Sequence, residues 1–115
     1  MSSNKELAEK VVQYMEGIGA EDELQDLLLK NTLAAKVDWL GKEMERYDDE
    51  LSTTLGRERK VAIKAAQQTD HMKAVQIFTQ IRMEVEEAVN GLFKETVNGW
   101  ISEVRAGNPG YYNPN

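Results

Sequence analysis

The stretch LQDLLLKNTLAAKVDWLGKEMERYDDELSTTLG, residues Leu24 to Gly56, decides how the chain folds. Each step along an α-helix turns a side chain by about 100°, so Leu24, Leu27, Leu28, Ala35 and Trp39 fall on one side. Leu33, Val37, Leu40, Met44, Tyr47 and Leu51 fall roughly opposite. One straight helix cannot bury both stripes against a single neighbour. Either the helix breaks at Asn31-Thr32, with Thr32 capping a new start, or it is continuous and lies between two different partners. The continuous helix, kinked if need be, is preferred because neither glycine nor proline stands at that point. Thr53, Thr54, Leu55 and Gly56 then predict the principal turn of the chain.

Upstream, Leu7, Val11, Tyr14, Met15 and Ile18 make an amphipathic face. A cap among Ser2, Ser3 and Asn4 starts this first helix, and Gly17 and Gly19 end it. Glu21, Asp22 and Glu23 crowd the next start, near Ala20, where free backbone N–H groups favour carboxylates. Downstream the apolar stripe moves again. Val61, Ala65, Met72 and Val75 share one face, while Ile77, Phe78, Ile81, Val85, Ala88, Val89 and Leu92 cluster on another. Phe93, Val97, Trp100, Ile101 and Val104 return near the first. Thr69-Asp70 is a candidate cap inside this run, and Gly91 or Gly99 a candidate bend or site of close approach. The last helix is expected to stop near Ala106-Gly107.

Both prolines, Pro109 and Pro114, lie in the closing segment, and the residues before them are rich in helix formers without period-two alternation. The predicted fold is therefore all-α: a long antiparallel helical hairpin with a shorter N-terminal helix, a three- to four-helix bundle that oligomerisation can complete. Residues 1–106 read as a single helical domain and 107–115 as an extended Pro/Tyr tail. A lone hairpin with apolar residues on more than one face leaves much of them exposed, which predicts self-association or docking on a protein partner.

The chain has 115 residues, 41% of them hydrophobic and 30% charged, within the range of soluble globular domains. It has no cysteine, which excludes disulfides and thiolate chemistry, and leaves the redox compartment open. No signal peptide or membrane span is apparent, so a soluble and by preference cytoplasmic protein is expected. The net charge of −6 belongs to the first half, and the one short basic run, Arg57-Glu58-Arg59-Lys60 with Lys64, is interrupted, so nucleic acid is not an expected partner.

Candidate chemistry is sparse. His71 is the only histidine and cannot by itself form a catalytic pair or a two-histidine metal site, and Gln68 stands where a Glu-x-x-His di-iron motif needs glutamate. Asp48-Asp49-Glu50 lies in helical sequence rather than in a calcium loop. Trp39-Leu40-Gly41 matches the W-x-G tripeptide of small secreted helical-hairpin proteins. That family places it at an interhelical turn and adds a Tyr-x-x-x-Asp/Glu signal, whereas Tyr47 meets Leu51 at that spacing, so the match is read as coincidence. No enzyme and no cofactor is expected.

The candidate partner-binding residues are Trp39, Trp100, Tyr111 and Tyr112. Trp39 stands among Glu43, Arg46 and Glu50, a charged setting in which tryptophan reads equally as a rim cover or as an interface anchor. Trp100 has the same two readings, with core packing preferred. Asn108-Pro109-Gly110-Tyr111 stops a helix and spells N-P-x-Y, and Tyr111 and Tyr112 make the tail an uncharged aromatic strap. The leading expectation is a non-enzymatic helical assembly or adaptor protein that self-associates and uses this strap as a clasp. Second comes a small acidic inhibitor or chaperone that meets a basic surface through Glu21, Asp22, Glu23, Asp26, Asp38, Asp48, Asp49 and Glu50. Third is a small ligand or nucleotide held between subunits by Arg57, Arg59, Lys60 and Lys64.

Overall fold

A computed structural model describes residues 4–107, and among them every regular element is helical. The elements are α1 (Asn4–Gly17), α2 (Glu21–Leu29), α3 (Leu33–Glu58), α4 (Lys60–Thr69) and α5 (His71–Gly107). The all-α bundle with α3 and α5 as its packed long helices is thus present, with two short helices before the hairpin rather than one. The described residues form two compact units. One contains residues 4–43 and 93–107; the other is the hairpin unit, Met44–Leu92.

Two turns of the same design shape the first unit. At the end of α1 the Gly19 N–H bonds the Glu16 carbonyl at 3.2 Å and the Ala20 N–H reaches the Met15 carbonyl at 2.8 Å. At the end of α2 the Asn31 N–H bonds the Leu28 carbonyl and the Thr32 N–H bonds the Leu27 carbonyl, both at 3.1 Å. This is the paired hydrogen-bond pattern that closes a helix when the residue after the cap is left-handed, and the two left-handed residues are Gly19 (φ 76°) and Asn31 (φ 56°).

The continuous 20–55 helix is therefore corrected to a break at Asn31-Thr32. Asparagine tolerates left-handed backbone through local hydrogen bonding and can end a helix without glycine. Thr32 takes the cap position only through its backbone, its carbonyl accepting from the Lys36 N–H. Its hydroxyl donates backwards to the Leu27 carbonyl at 3.3 Å. Because the break resets the helical phase, Leu24 and Leu27 are buried from α2 and Leu33, Val37 and Leu40 from α3. Leu28 escapes to the surface, as does Ile18 beyond the end of α1.

The core of this unit gathers Val11 and Met15 of α1, Leu24 and Leu27 of α2, Val37 and Leu40 of α3, and Phe93, Val97, Trp100, Ile101 and Val104 of α5. Burying each large side chain contributes about 1.5–3 kcal/mol, before the entropy of ordering is set against it. Tyr14 meets Phe93 edge-on at 5.6 Å and donates its hydroxyl to Asn98 Oδ1 at 2.9 Å. Glu23, 4% exposed in the first turn of α2, accepts a 2.6 Å hydrogen bond from Arg105 Nε in the last turn of α5. The carboxylate sits at the positive end of one helix and the guanidinium at the negative end of the other, so both dipoles reinforce the pair. Gly41 lets α1 come close to α3, since a Cβ there would stand 3.4 Å from Leu7 Cδ2.

In the hairpin unit, Ile63, Ile81 and Val85 form the buried cluster, with Leu51, Leu55, Ile77 and Val89 packed against it. The turn expected at Thr53–Gly56 is helical instead. Leu51 and Leu55, one turn apart, both reach the cluster only if α3 stays helical through them, and a glycine near a helix end costs only about 1 kcal/mol. The chain leaves helical geometry at Arg59 (φ −101°, ψ 9°), whose N–H still bonds Leu55 and whose carbonyl still accepts from Ile63. Asp70 is extended (φ −153°, ψ 97°) and its Oδ1 accepts from the Lys73 N–H at 3.2 Å, which is the expected cap of α5. Neither Gly91 nor Gly99 breaks α5 or meets a close neighbour among the described residues.

The left-handed turn gives a direct test. Asn31→Gly is expected to hold or raise the urea midpoint, whereas Asn31→Val should lose about 1–2 kcal/mol, the cost of placing a β-branched residue in that region. Equal stability of the two variants would contradict a left-handed residue 31.

Candidate functional site

The two units bury their apolar residues unequally. Of the seven largest fully buried side chains among the described residues, only Val85 comes from the hairpin unit. That unit exposes Val61 (81%), Met72 (66%), Met83 (58%), Phe78 and Val75. The cause lies in the number of neighbours. Among the described residues of this unit α5 faces the α3–α4 arm alone, and that arm takes the stripe carrying Ile77, Ile81, Val85 and Val89. Val61 of α4 and Met72 and Val75 of α5, which the sequence reads as one stripe but the break at Asp70 places on separate helices, are left in solvent. Phe78, expected with the buried cluster, lies at its rim, nearly half exposed. Nothing in the spacing separates a stripe that finds a neighbour from one that does not, so Met72, Val75 and Phe78 could not be picked out as surface residues.

Charged groups flank this surface. Lys60 and Lys64 share the outer side of α4 with Val61, away from the buried Ile63 and Ala66. Among the described residues Lys60, Lys64 and Lys73 form no ion pair. Arg59 is engaged inside the unit. Its guanidinium grips both oxygens of the Glu84 carboxylate, one at 3.0 Å, which removes it from the basic set proposed to hold a ligand. Arg82 Nη1 lies 3.4 Å from Asp48 Oδ1 and from Ser52 Oγ.

In the other unit a shallow cavity of about 360 Å³ opens between the start of α1, the end of α2 and the start of α3, lined by Ala8, Leu27, Leu28, Leu33, Ala34 and Val37 among others. Trp39 stands half exposed on α3, available to a partner. Trp100 is only 6% exposed, with Lys36 Nζ 5.6 Å from its ring, so its surface is used within the bundle core. Tyr111 and Tyr112, and with them the clasp, lie outside the described residues. Of the eight carboxylates of the acidic reading, five meet cations of the same chain: Glu23 with Arg105, Asp26 with Lys30, Asp38 with Lys42, Asp48 with Arg82 and Glu50 with Arg46. His71 is exposed as the first residue of α5. Among the described residues there is no group of three or more His, Asp or Glu side chains that could hold a metal, and no helix long and apolar enough to cross a membrane.

Comparison with protein-family models, with curated proteins and with solved structures returned no match to this chain.

The Arg59 fork holds the Glu84 carboxyl below its ordinary value, chiefly through the hydrogen bonds; desolvation opposes this, and charge attraction to Arg59 adds a lesser lowering. A depressed carboxylate stabilises the fold above its unfolded value and loses that contribution as pH falls through the lower folded one. Glu84→Gln is therefore expected to be less stable than the parent at neutral pH, and the gap should narrow as pH falls below the ordinary glutamate value and close once it lies below the lower folded one, where Glu84 is protonated in the folded and unfolded chain alike. Denaturant midpoints of the two chains across that range check it; a gap independent of pH would contradict the ion pair.

Proposed function

We propose that this chain is a non-enzymatic helical assembly protein that binds copies of itself through the exposed apolar side of its hairpin unit. One observation carries the reading: Val61, Met72, Val75, Phe78 and Met83 stand exposed on a unit that fully buries only one large side chain. Large apolar side chains left exposed in this number mark contact sites in folded proteins, and a two-helix hairpin gains most by becoming part of a four-helix core. Trp39 is a further anchor, as aromatic side chains dominate contact energies. The tail from residue 108 onward, with Tyr111 and Tyr112, acts as a clasp on the neighbouring copy.

Light scattering during size-exclusion chromatography tests this. The parent chain is expected to run as an oligomer at micromolar concentration, and Met72→Asp/Phe78→Asp as a monomer with unchanged helical circular dichroism. Neither position belongs to the buried cluster, and the circular dichroism reports whether the fold survives the loss of the half-covered Phe78 ring. A parent chain that is monomeric throughout, before and after removal of residues 108–115, would overturn the proposal.

A further inference from the structure

We infer that the association is head to tail: the basic end of the hairpin on one copy seats on the acidic corner between α1 and α2 on the next. This rests on the self-association proposed above and adds its geometry.

Charge distribution is the first argument. Residues 57–82 carry six Lys or Arg against two Asp or Glu, in a chain whose net charge is −6. Arg59 and Arg82 are spent on Glu84 and Asp48, which leaves four, Arg57, Lys60, Lys64 and Lys73, without an ion pair among the described residues. The lysines flank the exposed Val61 and Met72. Two such ends meeting across a two-fold axis would bring like charges together in a contact that excludes water, which costs affinity.

The opposite surface supplies the complement. At the α1–α2 corner Ile18 is half exposed, and Glu16, Glu21 and Asp22 around it are exposed and likewise form no ion pair among the described residues. Glu16 lies in the last turn of α1, where no basic residue answers the negative end of the helix. A carboxylate there works against its own helix dipole, and a lysine brought by a neighbour relieves it. Each surface thus has exposed apolar side chains with an excess of unpaired charge near them, basic on the hairpin and acidic at the corner. Such a contact leaves one surface of each kind open at the ends, so it propagates into rings or filaments.

Two charge-reversed variants separate the arrangements by sedimentation at low and high salt. In head-to-tail assembly Lys60→Glu/Lys64→Glu and, separately, Glu16→Lys/Asp22→Lys each weaken self-association by about tenfold or more, and salt weakens that of the parent. Mixing the two variants restores assembly, since each then offers the complement that the other lacks. A two-fold contact between hairpin ends predicts otherwise: reversing Lys60 and Lys64 again sets like charges against like, so the first variant does not lose tenfold, the second is unchanged, and either result with an oligomeric parent overturns the inference while leaving self-association standing. A parent chain as monomeric as Met72→Asp/Phe78→Asp removes self-association itself. Circular dichroism of both variants, whose altered residues are all exposed, confirms that they fold.

Discussion

A helix can bury an apolar stripe only where another helix lies against it, and this constraint governs both units of the chain. In the unit of residues 4–43 and 93–107, the last part of α5 has neighbours from α1, α2 and α3, and the stripe from Phe93 to Val104 is buried. In the hairpin unit, among the described residues, the first part of α5 has only the α3–α4 arm, so one stripe is buried and its neighbour is not. The exposed Val61, Met72 and Val75 are the consequence of a missing neighbour, and the hairpin stays open to one.

Polar contacts fix which helix ends meet, more than how tightly they pack. Glu23 is nearly buried and would be costly unpaired; Arg105 reaches it from the last turn of α5, so only one placement of α2 against α5 satisfies it. Arg59 does the equivalent in the hairpin. It stands where α3 gives way to α4, and its fork on Glu84 sets the bend against α5. Surface pairs such as Lys42 with Asp38 add little stability but hold down the local charge.

Much of the fold was legible because its signals are local. The helical class, the stop at Gly19 and the Asp70 cap each follow from a residue type with a single structural preference. At Asn31 the absence of glycine and proline favours a continuous helix in the sequence; asparagine has several uses, and only the two backbone hydrogen bonds to Leu27 and Leu28 reveal which one applies. Gly56 misled in the other direction. Its turn signal is overridden by Leu51 and Leu55, which both need a helical backbone to meet Ile63 and Ile81. The candidate surface was least legible of all: Phe78 and Met72 are exposed through the absence of a neighbour among the described residues, which periodicity does not encode.

The central claim is that the hairpin unit is completed by another copy while the unit that contains α1 and α2 has its core within one chain. Amide hydrogen exchange followed over a range of protein concentration tests this most directly, since protection reports the opening free energy of each segment. Amides between Lys60 and Arg82 should exchange fast in dilute solution and slow as concentration rises, while those of Val11, Val37 and Val97 stay protected throughout. Hairpin amides as protected as the bundle core at every concentration would contradict it.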